Sequence, residues 1–194
     1  GNGRWAAKRA LPRTAGHQQG AEAVRKTVKA ASQLNLEYLT LFGFSSENWK
    51  RPAEEVGELI RLLRFYPRSE TAELHRNNVR LRVIGDRDAF ESDIVEMIEH
   101  AEALTASNPG LNLTIALNYG GRSEVVDAVY RMAKDFQERG EYPEKAAVES
   151  GFESYLMTAG IPDPDLLIRT SGEKRISNFL LWQCAYTELF FTET

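Results

Sequence analysis

Arg169 and Arg175 lie close together in a stretch that also carries Ser171, Gly172 and Ser177. Side chains of those types suit an anion. Guanidinium groups are permanently charged and fork onto phosphate oxygens, and hydroxyls add short donors. Ahead of the stretch, Leu166, Leu167 and Ile168 form an apolar run that follows Pro162 and Pro164, which predicts a buried strand. Behind it, Phe179, Leu180, Trp182 and Tyr186 recur at roughly helical spacing, which predicts a helix beginning near Ser177. In an open α/β sheet, a loop between strand and helix lies at the strand's carboxyl end, where ligands bind. Such a helix would aim free N–H groups and the positive end of its dipole at the loop. The chemistry expected is therefore binding of phosphate or diphosphate. The plain alternative is a loop whose arginines pair with surface carboxylates.

Several other stretches could join that site. Gly1-Asn2-Gly3 suits a tight turn with close backbone approach to a ligand, and Arg4, Lys8, Arg9, Arg13 and His17 follow it. A turn followed by basic residues can cradle a phosphate, although a solvated basic tail has the same composition. Residues 39–44 read as a strand that runs into Ser45-Ser46-Glu47-Asn48-Trp49-Lys50-Arg51-Pro52. A generic turn requires neither Asn48 nor Trp49. Asn48 could orient a proton transfer or a diphosphate. Gly85-Asp86 and Asn118-Tyr119-Gly120-Gly121-Arg122 close two further strands, over residues 79–84 and 111–117.

The elements between these loops must position them. Helical stripes are predicted over residues 21–34, 90–104 and 124–136, with a weaker helix over 145–158 and a last strand from Glu188. A helix also starts at Pro52, and Pro67 inside it predicts a kink or break near residues 63–66, since an interior proline costs ~3 kcal/mol and a hydrogen bond. Strands alternating with helices predict a mostly parallel sheet covered on both faces. Length and composition fit one α/β domain over residues 1–194, with 42% hydrophobic and 27% charged residues in 194. A net charge of −4 argues against bulk nucleic-acid binding. Cys184 is the single cysteine, so no internal disulfide forms, which fits a reducing compartment. Three scattered histidines make a poor metal cluster, and neither a P-loop nor a nucleophile elbow is present.

Taken in order along nearly the whole chain, four blocks resemble the cis-prenyltransferases, on the side of the bacterial undecaprenyl diphosphate synthases. They are Gly1-Asn2-Gly3-Arg4-Trp5-Ala6, then Phe44-Ser45-Ser46-Glu47-Asn48-Trp49 with Arg51-Pro52, then Asn118-Tyr119-Gly120-Gly121-Arg122. The last runs from Arg169-Thr170 and Gly172-Glu173 through Arg175-Ile176-Ser177-Asn178-Phe179 to Glu188. The resemblance implies a Mg²⁺-dependent transferase. It would condense isopentenyl diphosphate in cis onto a farnesyl diphosphate-like allylic diphosphate, giving a long polyprenyl diphosphate such as undecaprenyl diphosphate for the cell-wall lipid carrier. It also implies a homodimer, and a sheet of about six strands beside a hydrophobic tunnel. The expected location is cytoplasmic or peripheral at the inner face of the membrane, to whose surface the product is delivered.

Carried over by position, Gly1, Asn2, Gly3, Arg4, Trp5, Arg13 and His17 would hold the allylic substrate, together with Ser45, Ser46, Glu47, Trp49 and Arg51. Arg169, Arg175, Ile176 and Ser177 would hold isopentenyl diphosphate. Ser45, Asn48 and Arg51 would act at the reacting centre, with Asn48 assisting proton removal. Leu41, Gly43 and Leu111 would line the tunnel. Glu188 would contribute to the metal site, in the same subunit or across the dimer. The family pattern also has an aspartate, the main metal ligand, on a first strand just before the position of Gly1, and a helical, arginine-bearing region after that of Thr194. On that pattern these residues alone are expected to have little activity. A non-catalytic homologue that supports a partner subunit, and a different phosphate-binding α/β protein, are the rival readings.

Overall fold

A computed structural model describes residues 2–193, and their side chains except those of residues 2, 4, 13, 14, 17, 62 and 65–69. The expected roles of Gly1, and of the side chains of Asn2, Arg4, Arg13 and His17, lie outside the described residues. The chain divides into two compact units, residues 1–118 and 119–194.

The first unit opens with two helices, α1 (Asn2–Ala7) and α2 (Arg13–Gln33). The tight turn expected at Gly1-Asn2-Gly3 is not what forms: Gly3 lies inside α1. Strand β1 (Tyr38–Ser45) follows, then a 3-10 turn (Ser46–Lys50), α3 (Ala53–Arg76), β2 (Arg80–Ile84), α4 (Ser92–Thr105) and β3 (Asn112–Tyr119). The sheet order is β1-β3-β2, and β2 runs parallel to β3 with Leu81 opposite Leu113 and Val83 opposite Ile115. Adjacent residues of β3 are buried, Leu113 with Thr114 and Ala116 with Leu117. Successive strand residues point to opposite faces, so both faces of this middle strand are covered. Val28 and Ala31 of α2, Phe44, Val79, Leu81, Val83, Phe90, and Ile94, Ile98 and Ala101 of α4 complete the core with Leu111 and Leu113.

The break expected at Pro67 does not occur, because α3 is one helix from Ala53 to Arg76. Its Leu59, Ile60, Leu63 and Leu74 all pack on the core. Burial on both sides of the proline offsets the lost hydrogen bond, which local propensity cannot report.

The second unit holds α5 (Gly121–Arg139), α6 (Lys145–Gly151), a 3-10 turn (Phe152–Tyr155), β4 (Leu166–Arg169) and β5 (Glu188–Phe191). Strands β4 and β5 pair in parallel, Leu166 opposite Glu188 and Arg169 opposite Phe191. Ala128 and Met132 of α5 pack with Phe152 and Leu156.

The described residues form five strands in two sheets, not one sheet of about six. The run 166–168 was expected to be buried throughout, yet only Leu167 is, with Leu166 and Ile168 more than half exposed. A run of three apolar residues cannot show which faces of a strand are covered.

Candidate diphosphate site

In the first unit, three strand ends converge on one aromatic and polar cluster. Ser45 ends β1 and caps the 3-10 turn: its Oγ accepts the Glu47 N–H at 3.2 Å, and its own N–H is accepted by Asn48 Oδ1 at 2.9 Å. This reciprocal arrangement satisfies two backbone donors that would otherwise lack partners. Ser45 Oγ also donates to Glu47 Oε2 at 2.5 Å. Oδ1 of Asn48 is therefore used by the backbone. The second lone pair of Oδ1 and the Nδ2 group remain, an acceptor and a donor that suit assistance to proton removal and a diphosphate oxygen alike.

Trp49 stacks edge-on against Phe44 at 5.2 Å and lies 5.9 Å from Phe90. Its Nε1–H donates to Asn118 Oδ1 at 2.8 Å. Arg51 pairs with Glu55 at 2.6 Å and keeps its remaining guanidinium hydrogens. Gly85 sits at φ +120°, and a Cβ there would lie 1.7 Å from the Leu117 carbonyl oxygen. Only glycine allows β2 to end so close to β3. Trp5 of α1 is half-buried, with the Arg9 guanidinium 4.3 Å from its ring centroid. Gly3 is half-buried and Ser46 half-exposed.

Three residues expected along a tunnel fall in this unit. Leu41 is half-buried and packs on the core, and Leu111 is 3% exposed within it. A Cβ on Gly43 would meet Leu117 Cδ2 at 2.9 Å and Ile115 Cγ2 at 3.3 Å.

In the second unit, β4 ends at Arg169 and its loop contains the expected anion site. Arg169 Nη2 reaches Ser177 Oγ at 3.4 Å, and Arg169 Nε is buried without a hydrogen-bond partner. Buried polar groups are nearly always satisfied, so such an orphan calls for an explanation. Ile176 and Ser177 are half-buried beside it. Arg175 is 72% exposed and pairs with Glu173 at 2.7 Å.

No helix starts at Ser177, contrary to expectation. Ser171 (φ 63°), Gly172 (φ 70°), Ser177 (φ 54°), Asn178 (φ 60°) and Leu180 (φ 46°) are left-handed, and residues 177–186 form turns and bends. Left-handed residues cannot continue a right-handed helix, so the apolar spacing of Phe179, Leu180 and Trp182 belongs to a folded turn.

The helix end that meets this loop is that of α5. Asn178 accepts the Gly121 N–H on its carbonyl oxygen at 2.8 Å and the Arg122 N–H on its Oδ1 at 2.9 Å. A Cβ on Gly121 would lie 2.9 Å from Leu181 Cγ, so glycine is what lets the loop pack there. Sequence reasoning marked the Asn118 to Arg122 turn but missed the roles of Asn118 and Asn178. An asparagine placed where a strand ends or a helix begins was the available signal.

Glu188 starts β5 and is exposed. Among the described residues, no three His, Cys, Asp or Glu side chains are grouped to hold a metal. Mg²⁺ is commonly bound by one or two carboxylates plus substrate phosphates and waters rather than by a protein cage. One hard carboxylate fits that mode.

A family model described as "Putative undecaprenyl diphosphate synthase" matches residues 1–194. The chain belongs to this prenyltransferase family. It is 54% identical to an isoprenyl transferase of Agrobacterium fabrum, over 98% of this chain and 77% of that one. It is 55% identical to an isoprenyl transferase of Brucella suis, over 98% and 75%. Among solved structures, it is similar to lavandulyl diphosphate synthase from Lavandula x intermedia, determined in complex with dimethylallyl diphosphate. That match has a TM-score of 0.94 and 35% identity, covering 100% of this chain and 84% of that one. No helix among the described residues is long and apolar enough to cross a membrane.

Proposed function

We propose that the protein condenses isopentenyl diphosphate units in cis onto an allylic diphosphate of the farnesyl type, as a single catalytic domain. The product would be a long polyprenyl diphosphate, undecaprenyl diphosphate for the cell-wall lipid carrier, released to the inner membrane surface by a cytoplasmic homodimer. Family membership and the isoprenyl transferase relatives support the reaction class. The observation that carries the diphosphate chemistry is the buried, unpartnered Nε of Arg169 beside Ser177.

In this mechanism the C–O bond of the allylic diphosphate breaks, and the π electrons of isopentenyl diphosphate form the new C–C bond. A proton then leaves the carbon next to the cation so formed and is taken up by the released diphosphate. A π bond is the nucleophile, so no Ser/His/Asp or Cys/His set is needed. Ser45, Asn48 and Arg51 would steady the departing diphosphate, Asn48 through Nδ2 and Arg51 through hydrogens not used by Glu55. Ser46, Glu47 and Trp49, with Gly1, Asn2, Gly3, Arg4, Trp5, Arg13 and His17, would hold the rest of the allylic substrate. Arg169, Arg175, Ile176 and Ser177 would orient isopentenyl diphosphate. Glu188 would hold Mg²⁺ together with diphosphate oxygens. Held there, it would supply positive charge to offset the negative charge that builds on the leaving group.

The test is incubation with labelled isopentenyl diphosphate, farnesyl diphosphate and Mg²⁺. Extractable cis-polyprenyl product that disappears with EDTA is expected. No transfer to any allylic diphosphate, or all-trans product, would refute the reading.

The tunnel assignment carries its own prediction. Leu111→Ala should lengthen the product while costing less than the ~2–5 kcal/mol that the same truncation costs in a packed core. Gly43→Leu should shorten it, because any side chain there must displace Leu117 or Ile115. Product chromatography read beside a melting curve separates the cases. Unchanged length with lost stability in Leu111→Ala would make Leu111 ordinary core.

A further inference from the structure

We infer that Asn118 is the positioning residue that holds Trp49, and through it the turn carrying Ser45 and Asn48, in register for the allylic diphosphate. The inference rests on the proposed prenyl transfer.

Asn118 lies near the end of β3, 7% exposed, with a left-handed φ of 49°. Its Oδ1 accepts the Trp49 Nε1–H at 2.8 Å, and its Nδ2 donates to the Asp86 carbonyl oxygen at 2.9 Å. Its own carbonyl oxygen accepts the Asp86 N–H at 3.2 Å. One residue thus ties together the chain segments that follow β1 and β2 at the end of β3. The tie demands three properties at once: tolerance of a left-handed backbone, an acceptor and a donor. Asparagine has all three. Aspartate lacks the donor, and glycine lacks both side-chain groups.

The Trp49 bond is not needed to satisfy a buried group. Trp49 is 36% exposed, so water could serve its indole N–H. What the bond fixes is the ring's orientation against Phe44 and Phe90. The turn is then held at one end by the Ser45–Asn48 cap and at the other by Trp49. Small misplacements of substrate-positioning groups carry large kinetic penalties.

Two readouts test this. In the first, the protein is labelled with ¹⁵N at its tryptophan indoles, of which there are three. Asn118→Gly, which keeps the backbone unstrained, should shift the Trp49 indole resonance and speed its exchange, leaving Trp5 and Trp182 in place. Asn118→Asp, which keeps the acceptor, should leave the Trp49 resonance near its original position. In the second, Asn118→Gly should raise the KM for the allylic diphosphate about tenfold or more, with the KM for isopentenyl diphosphate within about twofold. Combined with Trp49→Phe, the losses should be clearly less than additive.

A fall in melting temperature with unchanged kinetics would overturn the inference, as would equal rises in both KM values, additive losses, or an unmoved Trp49 resonance. If the parent enzyme transfers no isoprene unit, the proposed function fails, and the indole readout alone decides whether Asn118 holds Trp49.

Discussion

Arg169→Ala should raise the KM for isopentenyl diphosphate by roughly thirty- to a thousandfold, ~2–4 kcal/mol, while the KM for the allylic substrate stays close to that of the parent. Arg169 is half-buried, its Nη2 faces Ser177, and its Nε lacks a protein partner. Truncating such a group removes a charged contact in a place where water substitutes poorly. Arg175→Ala should cost less, because Arg175 is exposed and already paired with Glu173. Steady-state kinetics with each substrate varied in turn decides the matter. Equal KM values in Arg169→Ala and parent would remove Arg169 from the site. Losses spread evenly over both substrates would mean that it holds the fold rather than the ligand.

Glu124→Ala should destabilise the protein by about 2–6 kcal/mol, since two buried donors, Tyr119 Oη and Gln183 Nε2, lose an acceptor at about 1–3 kcal/mol each. Glu124 is 1% exposed on the first turn of α5. It accepts from Tyr119 Oη at 2.5 Å, Met157 N at 3.0 Å and Gln183 Nε2 at 3.1 Å. All three of these partners are neutral donors, and they close a buried polar network around the side chain. Urea unfolding measures the loss, and a change below about 1 kcal/mol would show that water replaces the carboxylate.

The same network sets an alkaline limit. Burial, then the hydrogen bond to Glu124, holds the Tyr119 phenol well above its ordinary value of 10.0. Below that value the phenol is protonated in both folded and unfolded chains. Above it the unfolded phenol ionises while the folded one keeps its proton, so stability falls as pH rises. Tyr119→Phe should flatten that part of the stability profile.

Much of this was legible in the residues. Helical spacing located α4 and α5, as with Ile94, Ile98 and Ala101, and short apolar runs bounded by turn residues located all five strands, with partial alternation only in the run that holds Leu81 and Val83. The loops bearing Asn48 and Arg169 stood out as polar, arginine-bearing stretches placed directly after apolar runs. What stayed hidden depends on partners distant in sequence. Pro67 reads as a breaker until the core contacts on either side of it are known. Phe179, Leu180 and Trp182 have helical spacing but a left-handed backbone among them. Asn118 and Asn178 look like turn residues. Their roles appear only once Trp49 and the first amides of α5 stand opposite them.

The left-handed run around Arg169 also bears on the order in which this unit folds. Ser171, Ser177, Asn178 and Leu180 each adopt a backbone conformation that costs a non-glycine residue roughly 1–2 kcal/mol. Local preference therefore opposes the loop, and it can settle only against partners already in place. Those partners are the first amides of α5, which Asn178 caps, and the strand end at Thr192, whose carbonyl oxygen accepts the Gly172 N–H at 3.0 Å and whose own N–H reaches Arg169 O at 2.9 Å. A segment assembled in this way is native last and lost first. Mild denaturant would thus open this loop while α5 is still helical, and whatever the loop holds would be released by local opening well before the unit unfolds.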